Sequence, residues 1–162
     1  MTRRTVGLLL CLVAVTGCAS AGVTSQADAD RALIGMANAW SSHDVDKLLA
    51  LFIDNCVYED VTFGVVTRGK SELRGFAEAT FKAIPDFNME VTSRSVAGDR
   101  ASMEWVMTGT HKGDFPGLPA TGKRFSVRGA SIVEVQGAKI RRVSDYWDAV
   151  TLMRQIGLLP AK

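Results

Sequence analysis

The sequence predicts an α+β domain in which helices cover one face of a bent antiparallel sheet, and three observations predict it. Apolar residues recur at helical spacing as far as Pro85, and beyond it that period is lost. Strand-like segments then follow at 88–97, 100–111, 123–136 and 139–147, separated by Gly98-Asp99, a long Gly/Pro loop and Gln136-Gly137. Such spacing suits hairpins and meanders better than βαβ crossovers. Helices gathered early in the chain and strands late place the helices together against the sheet.

Residues 1–17 stand apart from the domain. Arg3 and Arg4 precede an apolar run from Val6 to Val15, too short to span a bilayer as a mature helix and patterned like a secretory signal. Val15-Thr16-Gly17-Cys18 resembles the bacterial lipobox, which implies a diacylglyceryl group on Cys18 and cleavage before it. An ordinary signal cut nearby, with Cys18 incidental, is the alternative. Residues 18–27 are small and polar, as a tether would be, and the domain itself is expected over 28–160. An acyl anchor holds a domain on a membrane. The expected location is therefore outside the cytoplasm, at the outer face of the bacterial cytoplasmic membrane or in the cell envelope.

Within the domain, Leu33, Met36, Ala37 and Trp40 define an amphipathic helix over 28–42. Asp44 can cap a shorter helix running through Leu48, Leu49 and Phe52. Residues 56–63, CVYEDVTF, read as a strand. Leu73, Phe76, Ala77, Thr80, Phe81 and Ile84 mark a third helix, stopped by Pro85. After the last strand, Asp148 precedes Ala149-Val150-Thr151-Leu152 and fits the N-cap of a short closing helix better than a catalytic position. A sheet covered on one side alternates apolar and polar residues. Met103, Trp105, Met107 and His111 form the apolar set of their strand, and Ser102, Glu104, Thr108 and Thr110 the polar one. By the same alternation Val143, Asp145 and Trp147 share a face, so Asp145 points inward.

Composition narrows the function. Without Arg3 and Arg4, the 19 basic residues become 17 and match the 17 acidic ones, and no run of like charge argues for a nucleic-acid partner. Cys11 lies in the signal and Cys18 in the lipobox, which leaves Cys56 alone and no internal disulfide. Two histidines and one domain cysteine make no metal cluster. Residues 64–71, GVVTRGKS, spell the P-loop pattern G-x-x-x-x-G-K-[ST]. A P-loop needs a buried parallel strand before it and an acidic strand end for magnesium. Here the preceding strand carries Tyr58, Glu59 and Asp60, and no strand–helix alternation follows, so the segment is read as a turn into the third helix.

Gly109-Thr110-His111-Lys112-Gly113-Asp114-Phe115 is followed by Gly117-Leu118-Pro119-Ala120-Thr121-Gly122-Lys123, and the chain closes on YWDAVTLMRQIGLLP. With Tyr58-x-Asp60, Gly69 and Pro85-Asp86-Phe87, these segments resemble the SnoaL-like polyketide cyclases, or ester cyclases, of the nuclear-transport-factor-2-like superfamily. The resemblance covers roughly residues 28–160. It implies a cone of three helices on a strongly curved sheet around one hydrophobic pocket, with homodimers in many members. It also implies an intramolecular aldol condensation that uses no metal or organic cofactor. The family works with a His/Asp pair whose histidine tends to lie on the penultimate strand, where this chain has Ile132-Val133-Glu134.

Such chemistry needs a base and a donor to the enolate. A carboxylate in an apolar pocket suits the first role, because desolvation raises its pKa toward working pH. Asp145 is the candidate base, and His111 the candidate that steadies the oxyanion or moves a proton, a role open to Tyr58 as well. Trp40, Tyr58, Asp60, Trp105 and Trp147 are the candidate pocket wall. Asp60 can instead pair with Arg68 at the surface, Asp145 can be satisfied by Arg141 or a backbone amide, His111 can be exposed, and the tryptophans can be plain core. The expected function is a cofactor-independent cyclase or isomerase acting on a hydrophobic carbonyl compound. The competing readings are a lipid-anchored binding module for an apolar small molecule, and a scaffold whose interior is filled with side chains.

Overall fold

A computed structural model of the chain describes residues 24–115 and 117–160. The signal, the lipobox and Cys18 lie outside the described residues. Helix α1 (Gln26–Ser41) begins where the Ser25 hydroxyl accepts the Asp28 N–H at 3.1 Å, and it buries Leu33, Met36, Ala37 and Trp40 along one stripe. The helix starts two residues ahead of the expected 28. Its exit passes through His43, which takes the left-handed conformation (φ 55°), and the His43 Nε2 lies 2.8 Å from the Phe87 carbonyl oxygen. Asp44 then caps α2 (Val45–Ala50) by accepting the Lys47 N–H.

Phe52 was expected to end α2 and instead begins strand β1 (Phe52–Asp60). After the six residues of α2 the chain already alternates, with Phe52, Cys56, Tyr58 and Asp60 buried. A turn at 61–64, closed by Gly64 at φ 68°, reverses the chain into β2 (Val65–Arg68), a short edge strand that the sequence reading missed. The P-loop-like segment is this antiparallel edge strand together with the first turn of α3 (Gly69–Ala83). Its lysine, Lys70, pairs with Asp54, and the Arg68 N–H donates to the Glu72 carboxylate. Four long strands follow: β3 (Asn88–Ala97), β4 (Arg100–Thr110), β5 (Arg124–Gln136) and β6 (Lys139–Trp147), then α4 (Ala149–Gln155). Asp148 caps α4 through the Thr151 N–H and hydroxyl.

The six strands form one unclosed sheet in the order β2-β1-β6-β5-β4-β3. The antiparallel expectation holds for β3 through β6 and for β1–β2, but β1 runs parallel to β6, so the sheet is mixed. Hairpin reasoning sees only partners that follow each other in the chain. The partner of β1 arrives about 80 residues later, beyond a helix and four strands. Register breaks at Val91/Ser93 and Glu134/Val135 bend the sheet. Its inner face meets α1 and α3, and between them lie Phe52, Leu73, Met103, Val127, Val133 and Val143, each at most 2% exposed. Among the described residues no helix is long and apolar enough to cross a membrane.

Candidate active site

Strand β6 carries Asp145 on its inner face between Val143 and Trp147, and the carboxyl group is only 5% exposed. Ser131 of β5 lies directly opposite in register. The Trp105 indole N–H donates to the Ser131 oxygen at 2.9 Å, and Ser131 passes the chain on by donating to Asp145 Oδ1 at 2.6 Å. The Tyr58 hydroxyl, buried on β1, donates to Oδ2. Both donors favour the ionised carboxylate, yet burial opposes them and wins, raising the Asp145 pKa from 3.8 to about 6. The Tyr58 phenol is pushed well above its usual value by burial and by the neighbouring Asp145, so it stays a donor at neutral pH.

Trp105 reaches Ser131 because position 129 is glycine. A Cβ there would come within 2.2 Å of Trp105 Cη2, so only a residue without one leaves room for the indole.

The parallel pairing of β1 and β6 places Asp60 beside Asp145 across the ladder. Asp60 is 7% exposed and accepts from the Phe63 N–H at 2.9 Å and from the Trp147 indole N–H at 3.1 Å. Burial raises its pKa despite these donors. The Trp147 backbone is fixed in turn by Thr62, whose hydroxyl accepts the Trp147 N–H and donates to its carbonyl.

His111 follows β4 and is 4% exposed, so it is buried rather than at the surface. The neighbouring Thr110 is anchored by Asp86, which accepts both its N–H and its hydroxyl at 2.7 Å. Thr110, which the strand alternation places on the polar face, is buried with its N–H and hydroxyl both satisfied by Asp86. His111 Nδ1 lies 3.3 Å from Thr121 Oγ1, while Nε2 is buried with no hydrogen-bond partner among the described residues. Burial lowers its pKa, which leaves the imidazole neutral at pH 7.

These residues line one cavity between the helices and the sheet. Trp40, Tyr58, Asp60, Trp105, His111, Asp145 and Trp147 all contribute to it, along with aromatic and aliphatic side chains from α3, the 111–123 loop and α4. About 80 Å³ remains free inside, several times the roughly 10–15 Å³ that one water needs by the same measure, so side chains do not fill the interior. Among the described residues the wall holds two carboxyl groups and one imidazole, and neither lysine nor arginine. Two of the alternative pairings do not form: Arg141 pairs with Glu134, and Asp60 turns to Trp147 rather than to Arg68, while Trp40 and Trp105 are core residues as well as cavity wall. Among the described residues no group of three or more His, Cys, Asp and Glu is placed to hold a metal ion.

Two residues escaped the sequence reading. Ser131 links Trp105 to Asp145, and its signal was present as the one polar side chain in the inward set Val127, Ser131, Val133, Val135 of β5. Phe63 packs edge-on against Trp147 at 4.7 Å between ring centres, from the turn at 61–64, whereas the sequence reading carries the strand on to residue 63.

A family model for SnoaL-like polyketide cyclases matches residues 30–156. Among solved structures, a candidate SnoaL-like polyketide cyclase from Jannaschia sp. CCS1 is similar with a TM-score of 0.75 and 16% identity, over 83% of this chain and 95% of that one. AclR, a candidate hydroxylase from Streptomyces galilaeus, gives a TM-score of 0.74 and 24% identity over 85% and 86% of the two chains. IdmH, a candidate polyketide cyclase from Streptomyces antibioticus, gives 0.69 and 25% over 80% and 98%. Among curated proteins no sequence match is found.

Proposed function

This chain belongs to the SnoaL-like polyketide cyclase family, and on that premise we propose that it closes a ring in a hydrophobic carbonyl compound by cofactor-independent acid–base chemistry. The observation that carries the reading is Asp145: a carboxylate 5% exposed on a cavity wall, oriented by Tyr58 and Ser131 and titrating near pH 6. A base of that strength is ionised at neutral pH and still strong enough to take a proton from an activated carbon.

Asp145 removes the proton from a carbon next to a carbonyl, and the C–H electron pair becomes the enolate. The enolate carbon attacks a second carbonyl of the same molecule. A C–C bond forms as the π pair of that carbonyl moves onto its oxygen. The resulting alkoxide takes up one proton, which balances the one removed. His111, neutral and with Nε2 unengaged among the described residues, is the group for that second oxygen. Tyr58 acts through Asp145 rather than on the substrate, because its proton is committed to Oδ2. We also propose that the domain works outside the cytoplasm on a lipid anchor at Cys18.

The test incubates wild type and Asp145→Asn with polyketide esters and enolisable ketones in deuterated buffer, with mass spectrometry as readout. Deuterium at the acidic carbon or cyclised product, lost in the folded variant, is the expected result. Equal binding of the compounds by both proteins with no exchange in either replaces the reading with that of a binding module.

A further inference from the structure

Three tryptophans line this cavity, and the indole N–H groups of two of them have acceptors. Trp105 Nε1 donates to Ser131 and Trp147 Nε1 to Asp60. Trp40 Nε1 has no partner among the described residues, although Trp40 is only 2% exposed. An indole N–H can only donate, and leaving it unpaired in the interior carries a desolvation penalty that phenylalanine in the same place would avoid. The position has the setting for such an exchange. Trp40 is held by the rings of Phe76, Phe81 and Phe87 at 5.4 to 6.2 Å between centres, all of them apolar. Its fourth neighbour is Tyr58, 5.9 Å away, whose hydroxyl holds the Asp145 carboxylate. Trp40 therefore stands beside the partner of the base, on the wall of the same cavity.

We propose that the Trp40 indole N–H is the hydrogen-bond donor to the carbonyl oxygen of the substrate whose neighbouring carbon Asp145 deprotonates. The assignment rests on the acid–base reading above and gives it the enolate donor that Tyr58, already engaged, does not supply. As the C–H pair moves toward the carbonyl, charge gathers on that oxygen and the N–H bond to it strengthens. A rigid donor in an aromatic cage is already in place when this happens. His111 is left for the oxygen of the second carbonyl.

The experiment uses the full chain with 15N-labelled tryptophan and 2-naphthol, a planar aryl enol, as probe. Binding is followed by naphthol fluorescence and the three indole signals by NMR, with the Trp40 signal identified by its absence in Trp40→Phe. On saturation the Trp40 N–H signal moves downfield more than those of Trp105 and Trp147. Trp40→Phe weakens naphthol at least about tenfold, and it lowers deuterium exchange into an enolisable ketone about 10²-fold with little change in KM. Where Trp40→Phe does not fold, the Trp40 signal is assigned by elimination from Trp105→Phe and Trp147→Phe, and the wild-type spectrum still decides. A bound probe that leaves the Trp40 signal unmoved, or no saturable binding, overturns the assignment. Exchange with an unmoved Trp40 signal removes this proposal alone. A shifted Trp40 signal with no exchange into any ketone removes the acid–base reading and keeps Trp40 as the donor to the ligand.

Discussion

At Asp145 two opposing effects meet on one carboxyl group. Burial disfavours the charge, and the Tyr58 and Ser131 donors favour it, with the balance near pH 6. A base works only when ionised, so deuterium exchange by wild type should rise about tenfold per pH unit below 6 and level off above it, as measured from pH 4.5 to 8. Removing a donor shifts the balance upward. In Ser131→Ala the exchange midpoint should move up by on the order of one pH unit, the equivalent of about 1.4 kcal/mol of lost carboxylate stabilisation. An unmoved midpoint would mean that the 2.6 Å bond from Ser131 does not act on the ionised form. The sequence placed Asp145 inward from strand alternation alone, because alternation follows from backbone geometry. It did not reveal Ser131 as the partner, because which polar group meets Asp145 depends on the register between β5 and β6.

Strands β4 and β5 position that partner through one close approach. Gly129 gives the Trp105 indole the space it needs to reach Ser131. Gly129→Ala brings a methyl group to within 2.2 Å of Trp105 Cη2, so the ring must move. Urea unfolding should show a loss of about 1–3 kcal/mol, typical of an overfilled interior. The exchange midpoint should also rise, because a displaced Trp105 no longer orients Ser131. At this scale the helices were legible in the sequence, since stripes such as Leu33, Met36, Ala37 and Trp40 and caps such as Asp44 and Asp148 are local. The strands of the meander were legible for the same reason. The parallel contact of β1 with β6 and the edge strand β2 were not, because they depend on a long-range pairing and on a four-residue strand that is too short to show a period. That pairing is also what sets Asp60 beside Asp145, so part of the site was hidden with it.

The whole molecule carries the cost of its site. Asp145 has a folded pKa of about 6 against 3.8 when unfolded, so its proton is held more tightly in the folded state. Below pH 3.8 both states are protonated and the group costs nothing. Between pH 3.8 and 6 the unfolded chain ionises first and stability falls. Above 6 the full penalty stands, up to about 3 kcal/mol. Asp60, raised by burial too, acts in the same direction, whereas the carboxyls of Asp54 and Asp86 lie below their usual range, held there by Lys70 and Thr110, and lose their stabilising effect as pH falls. A difference measurement at one position separates these contributions. In Asp145→Asn the side-chain oxygen can still accept from Ser131, and its amide can donate to Tyr58 once that hydroxyl turns from donor to acceptor, so the packing is kept while the buried charge is removed. Urea unfolding should therefore show Asp145→Asn more stable than wild type at pH 7.5, by up to about 3 kcal/mol, with the two indistinguishable at pH 3.5. A pH-independent difference would place the effect in packing rather than charge. The predicted pattern would mark Asp145 as a group that the fold tolerates at a loss, since a neutral isostere would hold the same three strands together more firmly.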